Sequence, residues 1–134
     1  MFFTMGKRKP VIKMYSYGEY SRWDRNSREI PKILHFATEI EAETGTEFGY
    51  VLHVKQAKGE MLTFKIEHPP FKDARGNESP PFTGEQFVKT NDFEFYLGDC
   101  IWDPVEDKLG EWILTTYYKG KIVSQKTFKL IKKN

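Results

Sequence analysis

The chain has 134 residues and 15.8 kDa, with 21 Lys and Arg against 19 Asp and Glu. That length supports one domain whose hydrophobic core forms without disulfides or metal. A mean hydropathy of −0.62 and apolar runs of only a few residues exclude a membrane helix, which needs roughly 20 apolar residues.

The opening "MFFTMGKRKPV" places its apolar part before its basic part, the reverse of a secretory leader. Residues 1–10 read as a flexible basic extension and residues 11–134 as a single β-sandwich domain. Val11 to Tyr20 has strand propensity but no clear apolar face, and "SRWDRNSREIPK" after it reads as polar loop. Over residues 34–42, Leu34, Phe36, Thr38, Ile40 and Ala42 alternate with His35, Glu39 and Glu41, which predicts one half-buried strand. Phe48, Tyr50, Leu52 and Val54 alternate in the same way. "KQAKGE" supplies a turn, and Leu62, Phe64 and Ile66 follow, so the two runs are expected to form a hairpin. Pro69 and Pro70 end it, because proline cannot donate to a ladder.

Residues 71–85, "FKDARGNESPPFTGE", are rich in turn formers and read as one long loop. "PPF" occurs on both sides of "KDARGNES", as the two shoulders of that loop. A short strand is expected at residues 87–89, and a clearer one on Phe93, Phe95 and Leu97. Residues 104–109 are expected to hold at most one helical turn.

The last stretch, "GEWILTTYYKGKIVSQKTFKL", is the most patterned. Trp112, Leu114, Thr116 and Tyr118 share one face; Ile122, Ser124, Lys126, Phe128 and Leu130 share another. For the faces to coincide the loop must hold an odd number of residues. This predicts a three-residue turn with a bulge at Gly120 and argues against a two-residue turn. Seven to eight short strands and no helix of length predict an all-β, immunoglobulin-like antiparallel sandwich, lacking the disulfide of antibody domains.

"TGTEFGYVLHV", the loop with paired prolines, the aromatic-acidic strand and the terminal Gly-x-Trp…Gly-Lys…Phe-x-Leu together resemble a bacterial family, domain of unknown function 3859. The resemblance runs from about Tyr17 to Leu130, with Gly110, Trp112, Gly120 and Phe128 its most specific residues. It implies a small β-sandwich and brings no activity or site. The chain departs from the pattern in its basic opening and its Lys-Lys-Asn ending.

Charge is uneven. Lys7, Arg8, Lys9 and Lys13 open the chain and six lysines close it after residue 118. The remaining eleven bases face all nineteen acids across residues 14–118, a net of −8. If the two ends paired as neighbouring strands they would form a basic edge, whose plainest role is to suppress edge-to-edge aggregation.

No catalytic, metal or cofactor motif is present. His35, His53 and His68 are spaced unlike zinc ligands, though the first two could meet Cys100 across a sheet. Glu39, Glu41 and Glu43 read as a solvated strand face. Cys100, the lone cysteine, reads as a small buried hydrophobe and, with the opening, points to the cytoplasm. "YSYGEYSRWDRNSR" interleaves aromatics with arginines, so Tyr17, Tyr20 and Trp23 are binding candidates, with Trp102 between Asp99 and Asp103 a fourth.

These features favour a non-catalytic binding or protein-interaction module that holds a protein partner or a second copy of itself. No cofactor, nucleic acid or membrane is expected. Two alternatives place a small-ligand or catalytic site in loop 67–86 or 97–110, or single-stranded nucleic acid on an OB-like barrel.

Overall fold

The computed structural model describes residues 9–134. Of the basic extension expected over 1–10, residues 1–8 lie outside the described residues. Nine strands form two sheets. They are β1 (Val11–Tyr20), β2 (Ile33–Phe36), β3 (Glu39–Ala42), β4 (Glu47–Lys55), β5 (Met61–Glu67), β6 (Phe82–Phe87), β7 (Asp92–Cys100), β8 (Gly110–Tyr118) and β9 (Lys121–Lys132). Sheet A runs β2-β1-β4-β7, and sheet B runs β3-β9-β8-β5-β6. All pairings are antiparallel except β3 with β9. Among the described residues the only helix is one 3₁₀ turn, Glu106–Lys108, and no helix is long and apolar enough to cross a membrane.

The fold is the all-β sandwich that the alternation predicts, with nine strands rather than seven or eight. Phe48, Tyr50, Leu52 and Val54 point inward from β4 and are fully buried, as are Leu62 on β5, Trp112 and Leu114 on β8, and Phe128 on β9. At about 2 kcal/mol per large apolar side chain, this inner layer is the main stabilising term.

Several local expectations are corrected. Residues 34–42 are not one strand. β2 lies in sheet A and β3 in sheet B, so the chain changes sheets at Ala37 and Thr38. Ile40 and Ala42 are buried, but Leu34 and Phe36 are each 58% exposed. β4 and β5 are not a hairpin either: "KQAKGE" carries the chain from sheet A to sheet B. The strand expected at 87–89 lies earlier, at β6, so residues 82–85 are strand and not loop. β1 has no single apolar face because it bulges at Tyr15, where the register shifts between Met14 and Ser16. Ile12 and Met14 face the core before the bulge, and Tyr17 does after it. Among the described residues the two ends do not pair as neighbouring strands, since β1 joins β2 and β4 while β9 joins β3 and β8.

The β8–β9 turn has two residues, not three. Lys119 and Gly120 both have positive φ, 51° and 78°, the requirement of a tight primed turn that matches strand twist. The extra residue that parity demands is Val123, in a bulge where Thr116 faces Ser124 but Tyr117 faces Ile122. Trp112 still falls directly opposite Phe128, but Ile122 is turned outward and is 57% exposed.

Candidate binding cleft beside β7

Sheet A has a second, smaller apolar layer on its outer face. Tyr20, Val51 and Tyr96 are buried there, and Trp23, Ile30 and Ile33 pack over them. The covering segment is the polar loop between β1 and β2. Its base is closed by Ser21 N–H to Lys32 O (2.8 Å) and by Lys32 N–H to the Ser21 hydroxyl (2.9 Å). Inside it, Trp23 Nε1 donates to Glu29 O at 3.0 Å, and Asp24 Oδ1 accepts from Asn26 N–H at 2.9 Å. Asp24, Ser21 and Ser27 therefore serve as turn caps.

One ion pair ties this lobe to the sheet. Glu47, at the start of β4, is 1% exposed, and Arg25 reaches its two oxygens at 3.5 and 3.3 Å. Tyr96 on β7 donates its hydroxyl to Glu47 Oε2 at 2.6 Å. Burial first, and then the Glu47 charge, hold the Tyr96 hydroxyl well above its usual range, so it stays a donor. Arg25 also lies 4.8 Å over the Trp23 ring. Gly98 makes room for this arrangement, because a Cβ there would meet the Tyr96 hydroxyl and the Phe48 carbonyl. Gly98→Ala is expected to cost about 1–3 kcal/mol, the usual penalty for overpacking, and to loosen Trp23, readable as a lower urea midpoint together with red-shifted tryptophan emission.

Beside this lobe lies a cleft of about 650 Å³ along β7. Trp23, Arg25, Arg28 and Ile30 form one wall, Gln86 and Lys89 the other, and Phe93 to Tyr96 the floor. Arg25 is paired with Glu47, so Arg28 and Lys89 are the cleft's cations without a carboxylate in ion-pair reach among the described residues; its one exposed carboxylate, Glu94, pairs with His53 at 3.1 Å.

The four sequence candidates do not form one site. Trp23 lines the cleft and Tyr20 supports it from below, with its hydroxyl 2.7 Å from that of Ser16. Tyr17 faces the inner side of sheet A, edge-on to Phe36, with Lys126 Nζ 3.9 Å over its ring. Trp102 belongs to a separate aromatic cluster with Phe71 and Phe82. There it covers Lys108, whose buried Nζ lies 4.5 Å over its ring and donates to Pro104 O at 2.8 Å. Both "PPF" phenylalanines pack on His68, Phe71 stacked at 4.2 Å and Phe82 tilted at 4.7 Å, and its ring nitrogens lie 2.8 Å from the carbonyls of Pro69 and Pro80. His68 thus joins the two shoulders of the loop.

Sequence reading singled out Arg25 through its aromatic neighbours but missed its partners Glu47 and Tyr96. Its available signal was Val51 and Tyr96, apolar residues at outward positions, which imply that this face is covered. Cys100 is half-buried, and burial followed by the Glu47 charge pushes its thiol up, away from the reactive thiolate. Among the described residues no three His, Cys, Asp or Glu side chains converge as a metal site would require.

Residues 8–130 match the profile of a family described as a domain of unknown function, DUF3859. The chain belongs to the DUF3859 family. A solved structure of an immunoglobulin-like protein from Pseudomonas aeruginosa is similar to this DUF3859 chain at 21% identity and a TM-score of 0.75, covering 94% of this chain and 99% of the other. That likeness establishes the immunoglobulin-like fold. No curated protein matches the chain.

Proposed function

We propose that this DUF3859 chain is a non-catalytic binding module that holds a protein partner in the cleft beside β7. The observation that carries this reading is the meeting, along one recessed strand, of Trp23 with Arg25, Arg28 and Lys89. Aromatic and arginine side chains are the residues that anchor protein interfaces. The Arg25–Glu47 pair and the loop's own caps preorganise the wall, which lowers the cost of binding. A raised thiol at Cys100 supports a module without nucleophilic chemistry. The lone cysteine favours a reducing compartment, the cytoplasm.

The test uses the full chain as bait in a native lysate beside an Arg28→Glu/Lys89→Glu variant, with mass spectrometry of retained proteins. A protein held by the wild type and lost by the variant is the expected result. Equal retention by both baits, or none by either, overturns the reading.

A further inference from the structure

Resting on that reading, we propose that the cleft binds an extended, acidic segment of polypeptide, which adds to sheet A as a fifth strand against β7. Among the described residues four strands are sheet edges: β2 and β3 have four residues each, β6 has six and β7 has nine. β7 is therefore the longest edge, and its open side faces the cleft.

The register fixes which backbone groups are available. β4 and β7 pair over nine consecutive positions without a shift. Just outside that ladder, and in its register, Gln56 N–H donates to Asn91 O at 3.0 Å and Ile101 N–H to Thr46 O at 2.8 Å. Bonded and non-bonded pairs alternate in an antiparallel ladder. The odd residues of β7 thus turn their N–H and C=O toward β4, and the even residues turn theirs outward. Both ends of the outward row are capped. The Thr90 hydroxyl meets Asp92 O at 2.9 Å and Asp92 N–H at 3.4 Å, and Asp99 Oδ1 accepts from Cys100 N–H at 2.8 Å. Glu94, Tyr96 and Gly98 remain between them, with no hydrogen-bonding partner for their main chain among the described residues. Such a row is a template for another strand.

The walls and charges select the guest. The β1–β2 lobe and the Gln86–Lys89 segment stand on either side of this row, so it accepts one strand more readily than the broad sheet of a second copy. Successive side chains of an added strand point to opposite faces. One set would meet the Trp23–Arg28 wall and the other would meet Lys89. Arg28 and Lys89 have no carboxylate within ion-pair reach among the described residues. Carboxylates on the guest would pair with them.

The test titrates the ¹⁵N-labelled full chain with a capped heptapeptide alternating Glu and Val, and with the same peptide carrying Lys for Glu. The acidic peptide should slow amide exchange at Glu94, Tyr96 and Gly98, with little change at Phe95 and Leu97. The lysine peptide should produce no such protection. Glu94→Pro removes one edge donor at a position where an edge strand tolerates proline, and should weaken binding by roughly fivefold or more. Glu94→Gln controls for the lost His53 pair and should bind at least as well as wild type. Absence of protection at the three even amides, or equal binding of both peptides, overturns strand addition. Protection already present in the free protein, with a concentration-dependent dimer in sedimentation, assigns the edge to a second copy and also overturns it. If strand addition fails while the lysate partner still depends on Arg28 and Lys89, the binding-module reading stands alone; if both fail, neither does.

Discussion

Trp112→Ala is expected to cost about 3–5 kcal/mol, the range for truncating a buried aromatic. Trp112 is fully buried on β8, directly opposite Phe128. Phe48 meets its ring edge-on at 5.3 Å, with the His68 and Phe71 rings at 5.6 and 6.3 Å. Its Nε1 donates to Lys108 O at 2.8 Å. The variant therefore loses packing on both sheets and orphans a buried carbonyl in the 3₁₀ turn, two penalties with one origin. Trp112→Phe keeps most of the packing and loses the hydrogen bond, so it should cost less. Trp23→Ala should cost about 1–2 kcal/mol, since Trp23 is half-buried and packs only on the outer layer. Urea unfolding followed by circular dichroism ranks the three. Equal midpoints for the Trp112→Ala and Trp23→Ala variants would place the core elsewhere.

The legibility of this fold followed its pairings. β4 was fully readable because period-two alternation survives intact when a central strand pairs without a shift on its β7 side. β1 was not, since the bulge at Tyr15 exchanges the inward and outward sets halfway along. Parity in the last hairpin correctly demanded one extra residue but could not place it. Gly120 suggested the turn, whereas the strand absorbs it at Val123. Alternation also carries no information about which sheet a strand joins. This is why residues 34–42 looked continuous and why β4 and β5 looked paired. At the cleft, Tyr20 and Trp23 stood out locally by their aromatic and arginine neighbours. Glu47 and Tyr96 did not, because Arg25 meets Glu47 across 22 residues and Tyr96 meets it across 49. Only tertiary structure creates that cluster.

Asp99→Asn is expected to stabilise the protein at pH 8 by about 2–3 kcal/mol, from 1.36 kcal/mol per unit of pKa shift, and to lose that advantage near pH 4. Asp99 lies on β7 opposite Phe48, and burial, its largest influence, pushes its carboxyl up to about 6 from an ordinary 3.8. The Cys100 N–H opposes the rise, the Glu47 charge adds to it, and Arg25 and His68 oppose it. Glu47 is more deeply buried, but it has Arg25 and the Tyr96 hydroxyl as partners; among the described residues Asp99 has only its neighbour's amide. The sign follows from proton counting. Between about pH 4 and 6 the folded state binds more protons at Asp99 than the unfolded state, so stability from this group falls as pH rises through that window. Above it, folding carries the full cost of burying a charge. Asparagine keeps an oxygen for the Cys100 N–H and carries no charge, so it removes the cost where Asp99 is ionised and changes little where Asp99 is protonated. Glu47→Gln is the control of opposite sign: it removes a paired charge and should weaken the fold at pH 8. Urea midpoints of the three proteins at pH 8 and pH 4 decide the matter. An Asp99→Asn protein no more stable than wild type at pH 8, or equally favoured at both pH values, would mean that water reaches this carboxylate and that the end of β7 is more open than its burial implies.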